Sequence, residues 1–418
     1  MKKLFLALCS LALCIISKAQ QYVITGYGAN TDSTRLSTQA IQKAIDYAGE
    51  NGGGTIVVPK GVFLTGALFF KPGTKLKLEE GAVLKGSDNI ADYPLMPSRM
   101  EGHNLMYYAA LINAYYVDSF SISGPGIING NGSKFWKTFW EYRDSMKAIG
   151  QSATNLEVHR PRLLFIWGCD NVTIKNVGLH NSGFWTTHLY HCKNVLIDGC
   201  DIRAPFKPVP APSSDGVDID ACKDVIVRNS YISVNDDGIC IKGGKGPDAQ
   251  SRYEDGATEN VLVENCVFGL VQSALTMGSE CIHANHITMR NCKVDMSAKQ
   301  PLLRLKMRPD TYQHYENITV ENITGKCGTI LQMSPWTQFF NMKGSAAKPF
   351  GTINNITLSN IQLSCNEFAV LDGNPDDKVS DIVFKNINAT AEKPDFINKY
   401  PKEVHFDHVI LNGKAVTK

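Results

Sequence analysis

A six-residue phrase recurs along most of this chain and limits the possible folds more than any other feature. It consists of Asn or Asp (His in one copy), an aliphatic residue, any residue, an aliphatic residue, any residue, and usually Asn. The copies are NVTIKN at 171–176, NVLIDG at 194–199, DVIVRN at 224–229, NVLVEN at 260–265, HITMRN at 286–291, NITVEN at 317–322, NITLSN at 355–360 and DIVFKN at 381–386. An earlier cousin, SFSISG, occupies 119–124. Successive copies begin 23, 30, 36, 26, 31, 38 and 26 residues apart. Apolar residues alternate with others inside each phrase, which is the period of a strand. A strand that returns at such intervals, with no helical pattern between copies, does not suit a βαβ fold. It suits a solenoid whose equivalent strands pair in parallel from coil to coil.

No coil of this kind can bury its inward face alone, so stacking has to supply the core. The last Asn of each phrase falls where the chain must turn, and Asn tolerates left-handed backbone there while its amide bonds nearby groups. Stacked on one another, Asn176, Asn229, Asn265, Asn291, Asn322, Asn360 and Asn386 would form a ladder. The uneven spacing implies loops of varying length on one side, where a binding face belongs. Cys200, Cys266 and Cys292 each follow the sixth position and read as small buried hydrophobes. Disulfides among the ten cysteines beyond residue 19 stay open. Near the start, Ala40, Ile41, Ala44, Ile45 and Ala48 share one helical face, with Ser37 in N-cap position and Gly52-Gly53-Gly54 ending the helix before a strand at 55–58. Such a helix would cover the open end of the first coil. The expected fold is all-β: residues 20–418 as a single-domain right-handed parallel β-helix with a short N-terminal capping helix. Length alone would suggest more than one domain, but no linker or shift in composition divides the chain.

Residues 1–19 read as a signal peptide, with Lys2 and Lys3, an apolar run from Leu4 to Ile16, and Ser17-Lys18-Ala19 before the cut. The expected location is therefore secreted or periplasmic, in a bacterium. The apolar run is too short to span a bilayer, and no later stretch resembles a span. With 42 basic and 40 acidic residues, nothing in the charge argues for a nucleic-acid partner. A monomer is expected.

Carboxylates concentrate in Ser213-Ser214-Asp215-Gly216-Val217-Asp218-Ile219-Asp220 and Asn235-Asp236-Asp237-Gly238, about one coil apart. They should stack on adjacent rungs of one face. Neighbouring negative charges resist simultaneous ionisation, so one carboxyl can stay an acid while another stays a base. Glycoside hydrolysis requires that combination. A lone Asp-Asp or Asp-Gly would more simply be a β-helix turn, but two groups in register weaken that explanation.

These segments resemble glycoside hydrolase family 28, which includes polygalacturonases and rhamnogalacturonan hydrolases. Ser213 to Asp218 match its Asn-Thr-Asp-Gly-x-Asp motif, Asp236-Asp237 its Asp-Asp motif, and Arg304-Leu305-Lys306 its Arg-Ile-Lys motif. Its bacterial branch is also matched by RMEG at 99–102, GPGIINGNG at 124–132, RPRLLFI at 160–166 and NSGFWTTH at 181–188. The resemblance implies inverting hydrolysis of an α-linked galacturonate in a pectic polymer or oligosaccharide, with neither cofactor nor metal. By position, it implies that Asp236 is the general acid, that Asp215 and Asp237 hold and deprotonate the attacking water, and that Arg304 and Lys306 bind the sugar carboxylate. A guanidinium beside an ammonium suits that last task on chemical grounds as well.

The chain departs from the family pattern at two points. Counting back from Thr276-Met277-Gly278-Ser279, the family's His falls at Gln272, which can hydrogen-bond substrate but cannot move a proton near neutral pH. The first motif also begins Ser-Ser instead of Asn-Thr. Both changes leave open a rhamnogalacturonan hydrolase or a non-catalytic pectin-binding β-helix, while a pectate lyase is the rival on the same fold. The polar stretch 243–259 is expected to be a loop bordering the cleft. Trp185 is either a sugar-stacking platform or part of the coil wall. His188 and His191 lack metal-ligand spacing.

Overall fold

The computed structural model describes residues 20–297 and 299–416. The signal peptide expected at 1–19 lies outside the described residues. The chain winds as a parallel β-helix with three faces. The first face stacks the phrase-bearing strands, from Gln21–Val23 and Gly54–Val58 through Thr173–Lys175, Lys193–Asp198 and Lys223–Arg228 to Val404–Leu411. The second runs from Gly61–Thr65 through Asp201–Arg203 to Lys293–Asp295 and beyond. The third runs from Leu68–Phe69 through Val217–Asp220 and Ile239–Lys242 to Thr329–Pro335 and beyond.

Register explains why the phrase stacks. Ile174, Ile197, Val227, Val263, Met289, Val320, Leu358 and Phe384 are partners on successive rungs, and all are buried. Every second residue therefore faces a continuous core, at roughly 1.5–3 kcal/mol per large side chain removed from water. All seven predicted turn Asn residues have left-handed φ, between 51° and 56°. Direct ladder bonds join Asn322 to Asn291 at 3.0 Å and Asn386 to Asn360 at 3.2 Å, while Asn229 donates to Asp198 at 2.8 Å. The first residue of each phrase is also left-handed, with φ from 53° to 60°, and forms a second ladder that the sequence did not announce. In it Asn194 donates to Asn171, Asn260 to Asp224 and Asn355 to Asn317.

The ten described cysteines are free and buried, so they pack as hydrophobes. Helix α1, Thr38–Glu50, buries Ile41, Ala44, Ile45 and Ala48 against the first rungs. Ser37 does occupy its N-cap position, but the hydroxyl pairs with the backbone of Asn30 instead of capping the helix. Two elements went unforeseen. One is helix α2, Ser133–Ala148, inserted between rungs and anchored by the Trp136 indole donating to the Ser182 carbonyl at 2.9 Å. The other is the antiparallel hairpin Leu95–Met100 and His103–Tyr108.

Candidate active site

On the third face the strands Thr187–Tyr190, Val217–Asp220, Ile239–Lys242, Leu275–Met277, Pro301–Met307 and Thr329–Pro335 lie side by side. Their register lines up His188, Asp218, Cys240, Thr276, Arg304 and Gln332 in one file. Asp215 and Asp236-Asp237 precede two adjacent strands of this face, and the Gly216 N–H donates to the Asp237 carbonyl at 2.9 Å. A Cβ on Gly216 would stand 2.5 Å from the Gly238 carbonyl, so the rungs can approach this closely only with glycine there. The two acidic groups are thus one rung apart on one face, as the sequence indicated.

A cleft of about 320 Å³ opens over this face. Asp215, Asp236, Gln272, Arg304 and Lys306 line it, together with Trp185, Lys242, Glu101, Glu280 and Trp336, and with Trp140 and Arg143 from α2. Asp237 is fully buried just beneath. The Lys306 Nζ stands 2.6 Å from Asp237 Oδ2 and the Arg304 guanidinium 3.5 Å from Oδ1. The Cys240 thiol donates to Asp215 Oδ2 at 3.3 Å, and Lys242 Nζ lies 3.9 Å from the same oxygen. Lys242 also reaches Asp218 at 3.4 Å and Glu280 at 3.3 Å. The Gln272 N–H donates to the Asp236 carbonyl at 2.8 Å, and the Asp237 N–H donates to Asp236 Oδ1 at 3.0 Å.

This setting separates the protonation states of the carboxyls. Burial, with the charges of Asp215 and Asp237, pushes Asp236 up to about 8, which leaves it protonated near neutral pH. Burial acts on Asp237 in the same direction, but Lys306 and Arg304 outweigh it and hold that carboxylate below its ordinary value. Burial and the Asp218 charge push Asp215 well above the ordinary range. Glu280 is held low because Lys242 and Lys245 outweigh its burial. Burial and the Glu280 charge raise Glu101. Opposite protonation tendencies therefore sit on the adjacent residues Asp236 and Asp237, and Asp215 is raised together with Asp236.

Arg304 and Lys306, expected to grip substrate, also hold the charge state of Asp237. Both keep an edge on the cleft, their side chains 14% and 10% exposed. Trp185 lines the cleft, but the Lys242 ammonium sits 4.6 Å over its ring, so that lysine covers one face of the expected sugar platform. Trp336 lies beside Lys306 in the same way, also at 4.6 Å. The stretch 243–259 does not line the cleft. Its last residues open the strand Ala257–Glu264, and its loop supports the site from behind. Asp255 of that loop pairs with Arg99 at 2.7 Å, and Arg99 also pairs with Asp220 at 3.0 Å. His188 is structural: burial lowers it to about 3, its Nδ1 accepts from Arg162 at 2.7 Å, and its Nε2 faces Asp220 at 3.4 Å.

Ligand atoms of Asp215, Asp237 and Cys240 lie within 4.8 Å of one another. Lys306 and Lys242 already supply the cations there, however, and burial pushes the Cys240 thiol well up, so the trio fits a metal poorly. The sequence reading missed Lys242 and Glu280. Lys242 has a retrievable signal, lying two residues beyond Cys240 on a strand that follows Asp237 directly. RMEG and RPRLLFI were visible as motifs, but their chemistry was not.

Fold and site together define a parallel β-helix with a groove of clustered carboxyls and cations. A family model described as "Glycosyl hydrolases family 28" matches residues 50–406, and the chain belongs to that family. It is 32% identical over 291 residues to an exo-poly-alpha-D-galacturonosidase of Dickeya chrysanthemi, a match covering 61% of this chain and 47% of that protein. The chain thus spans about half the length of that relative. It is 25% identical to an endo-polygalacturonase of Pectobacterium carotovorum subsp. carotovorum, over 85% of each chain. Among solved structures, a hyperthermoactive exopolygalacturonase from Thermotoga maritima superposes with a TM-score of 0.78 at 21% identity, over 94% of this chain and 92% of that one. The structural likeness concerns the fold.

Proposed function

We propose that this protein hydrolyses α-linked galacturonate bonds of pectin with inversion. The observation that carries this reading is Asp236 on the cleft wall next to an Asp237 gripped by Lys306 at 2.6 Å and Arg304 at 3.5 Å, a setting that raises the first carboxyl and lowers the second. Asp236 gives its proton to the leaving glycosidic oxygen as the bond to the anomeric carbon breaks. Water attacks that carbon from the opposite side and gives a proton to Asp237, while Asp215 orients it. The spent pair, ionised Asp236 and protonated Asp237, resets by exchange with solvent. Arg304 and Lys306, on the next rung but one, offer a sugar carboxylate charge-assisted donors beside the acids.

A second reading, cleavage of rhamnogalacturonan, is favoured by Glu101 and Glu280, which line the same cleft. Their carboxyl groups suit the hydroxyls of a neutral sugar and disfavour a second uronate. The test is product analysis on homogalacturonan, rhamnogalacturonan and their oligosaccharides without added metal, with Asp236→Asn beside wild type. Saturated products that vanish in the variant support hydrolysis, and the productive polymer chooses between the readings. Unsaturated products would mean a lyase, and binding without turnover a pectin-binding protein. We also propose secretion through residues 1–19, for which N-terminal sequencing of the exported protein should begin at Gln20.

A further inference from the structure

Far along the first face, three side chains from two rungs converge on one point. His283 opens the strand His283–Arg290, and its rung partner is His314. Glu316 lies two residues beyond His314, on the same side of its strand. The Glu316 carboxylate reaches His314 Nε2 at 3.2 Å through one oxygen and His283 Nε2 at 3.4 Å through the other. Ligand atoms of all three lie within 4.8 Å of one another, and the group is half-buried. A tetrahedral zinc-class ion with bonds of about 2.0–2.1 Å separates its ligand atoms by about 3.3–3.4 Å, close to the two histidine–carboxylate distances here.

The next rung supplies a second, independent observation. The Thr352 hydroxyl lies within hydrogen-bond reach of His314 Nδ1 and of the Gln313 carbonyl, the latter at 3.3 Å, so the remote nitrogen of the His314 ring has a fixed partner. With Nδ1 engaged there, His314 presents Nε2 to the Glu316 carboxylate. When Nδ1 carries the ring proton, the Nε2 lone pair and the carboxylate face each other across a gap that suits a cation. A hydrogen bond from the remote ring nitrogen is also how proteins orient a metal-binding histidine.

We propose that His283, His314 and Glu316 form a site for one divalent transition-metal ion of the zinc class, clamping two successive rungs, with solvent in the remaining position. Two imidazoles and a carboxylate are ligands that suit such ions. His283 lies 31 and 33 positions before His314 and Glu316, so no local spacing announced the trio.

The test is calorimetric titration of chelator-stripped protein with zinc alone, and with cobalt while recording visible absorption. Wild type should bind one equivalent, show the intense absorption of low-coordinate cobalt, and melt at a higher temperature with zinc. His314→Ala and Glu316→Gln, both at half-exposed positions, should each weaken binding at least ~10-fold and lose the thermal shift, and Thr352→Val, which spares the ligands, ~10-fold. If wild type takes up no zinc, or if both ligand variants bind as wild type does, the site is a protonated histidine–glutamate pair and the proposal is wrong.

Discussion

At the residue scale, the groove works by separating protonation states that would otherwise be alike. Asp236 and Asp237 are sequence neighbours, yet burial raises one while two cations lower the other. Asp236→Asn should reduce hydrolysis by at least ~10³-fold in a reducing-sugar assay, because an amide cannot donate the proton. The same change should alter stability with a definite sign. The folded-state value of Asp236, about 8, lies above its ordinary 3.8. The neutral carboxyl therefore contributes stability that is fully present below pH ~3.8, falls as pH rises from there and is lost by about 8. Asn does not titrate, so the inactive variant should melt above wild type beyond pH ~8 and close to it at low pH. Lys306→Met removes the nearest cation from Asp237. The acidic limb of the pH profile for kcat/KM should then move to higher pH, and kcat should fall ~10²–10⁴-fold.

At the element scale, the turns hold the rungs in register. Asn322 combines a left-handed φ of 56° with a 3.0 Å bond to Asn291. Asn322→Ala should cost about 1–2 kcal/mol in denaturant unfolding, since a Cβ is disfavoured in that conformation. Asn322→Gly, which keeps the conformation and loses only the ladder bond, should cost about 1 kcal/mol less than the alanine variant. The phrase made these turns legible, because alternation and a terminal Asn are local signals. Helix α2 was legible in principle, with Phe135, Trp136, Phe139 and Trp140 at helical spacing, but it interrupts the repeat and belongs to no rung. The Ser37 hydroxyl was misjudged because its partner, Asn30, lies seven residues upstream, across a turn that propensity does not describe.

At the scale of the whole molecule, long-range charge pairs fix the insertions to the solenoid. Arg99 ties the hairpin at 95–108 to Asp220 on the third face and to Asp255 in the loop behind the site, all three buried. Arg99→Met should destabilise the protein by about 3–5 kcal/mol, because it leaves the buried Asp220 carboxylate without its paired cation, while Asp255 keeps Arg252. By contrast, reductant should leave the melting temperature unchanged, since the ten described cysteines are free. The sequence by itself determined the rungs, their turns, the capping helix and the stacking of Asp215 on Asp236 and Asp237, because strand period and repeat spacing act over a few residues and recur. Tertiary structure alone decided which carboxyl is raised by burial and which is lowered by cations, what walls the cleft, and where histidines from different rungs meet. Those outcomes depend on burial and on charges such as Arg99 and Asp220, 121 positions apart in the chain, which only the wound solenoid brings into contact.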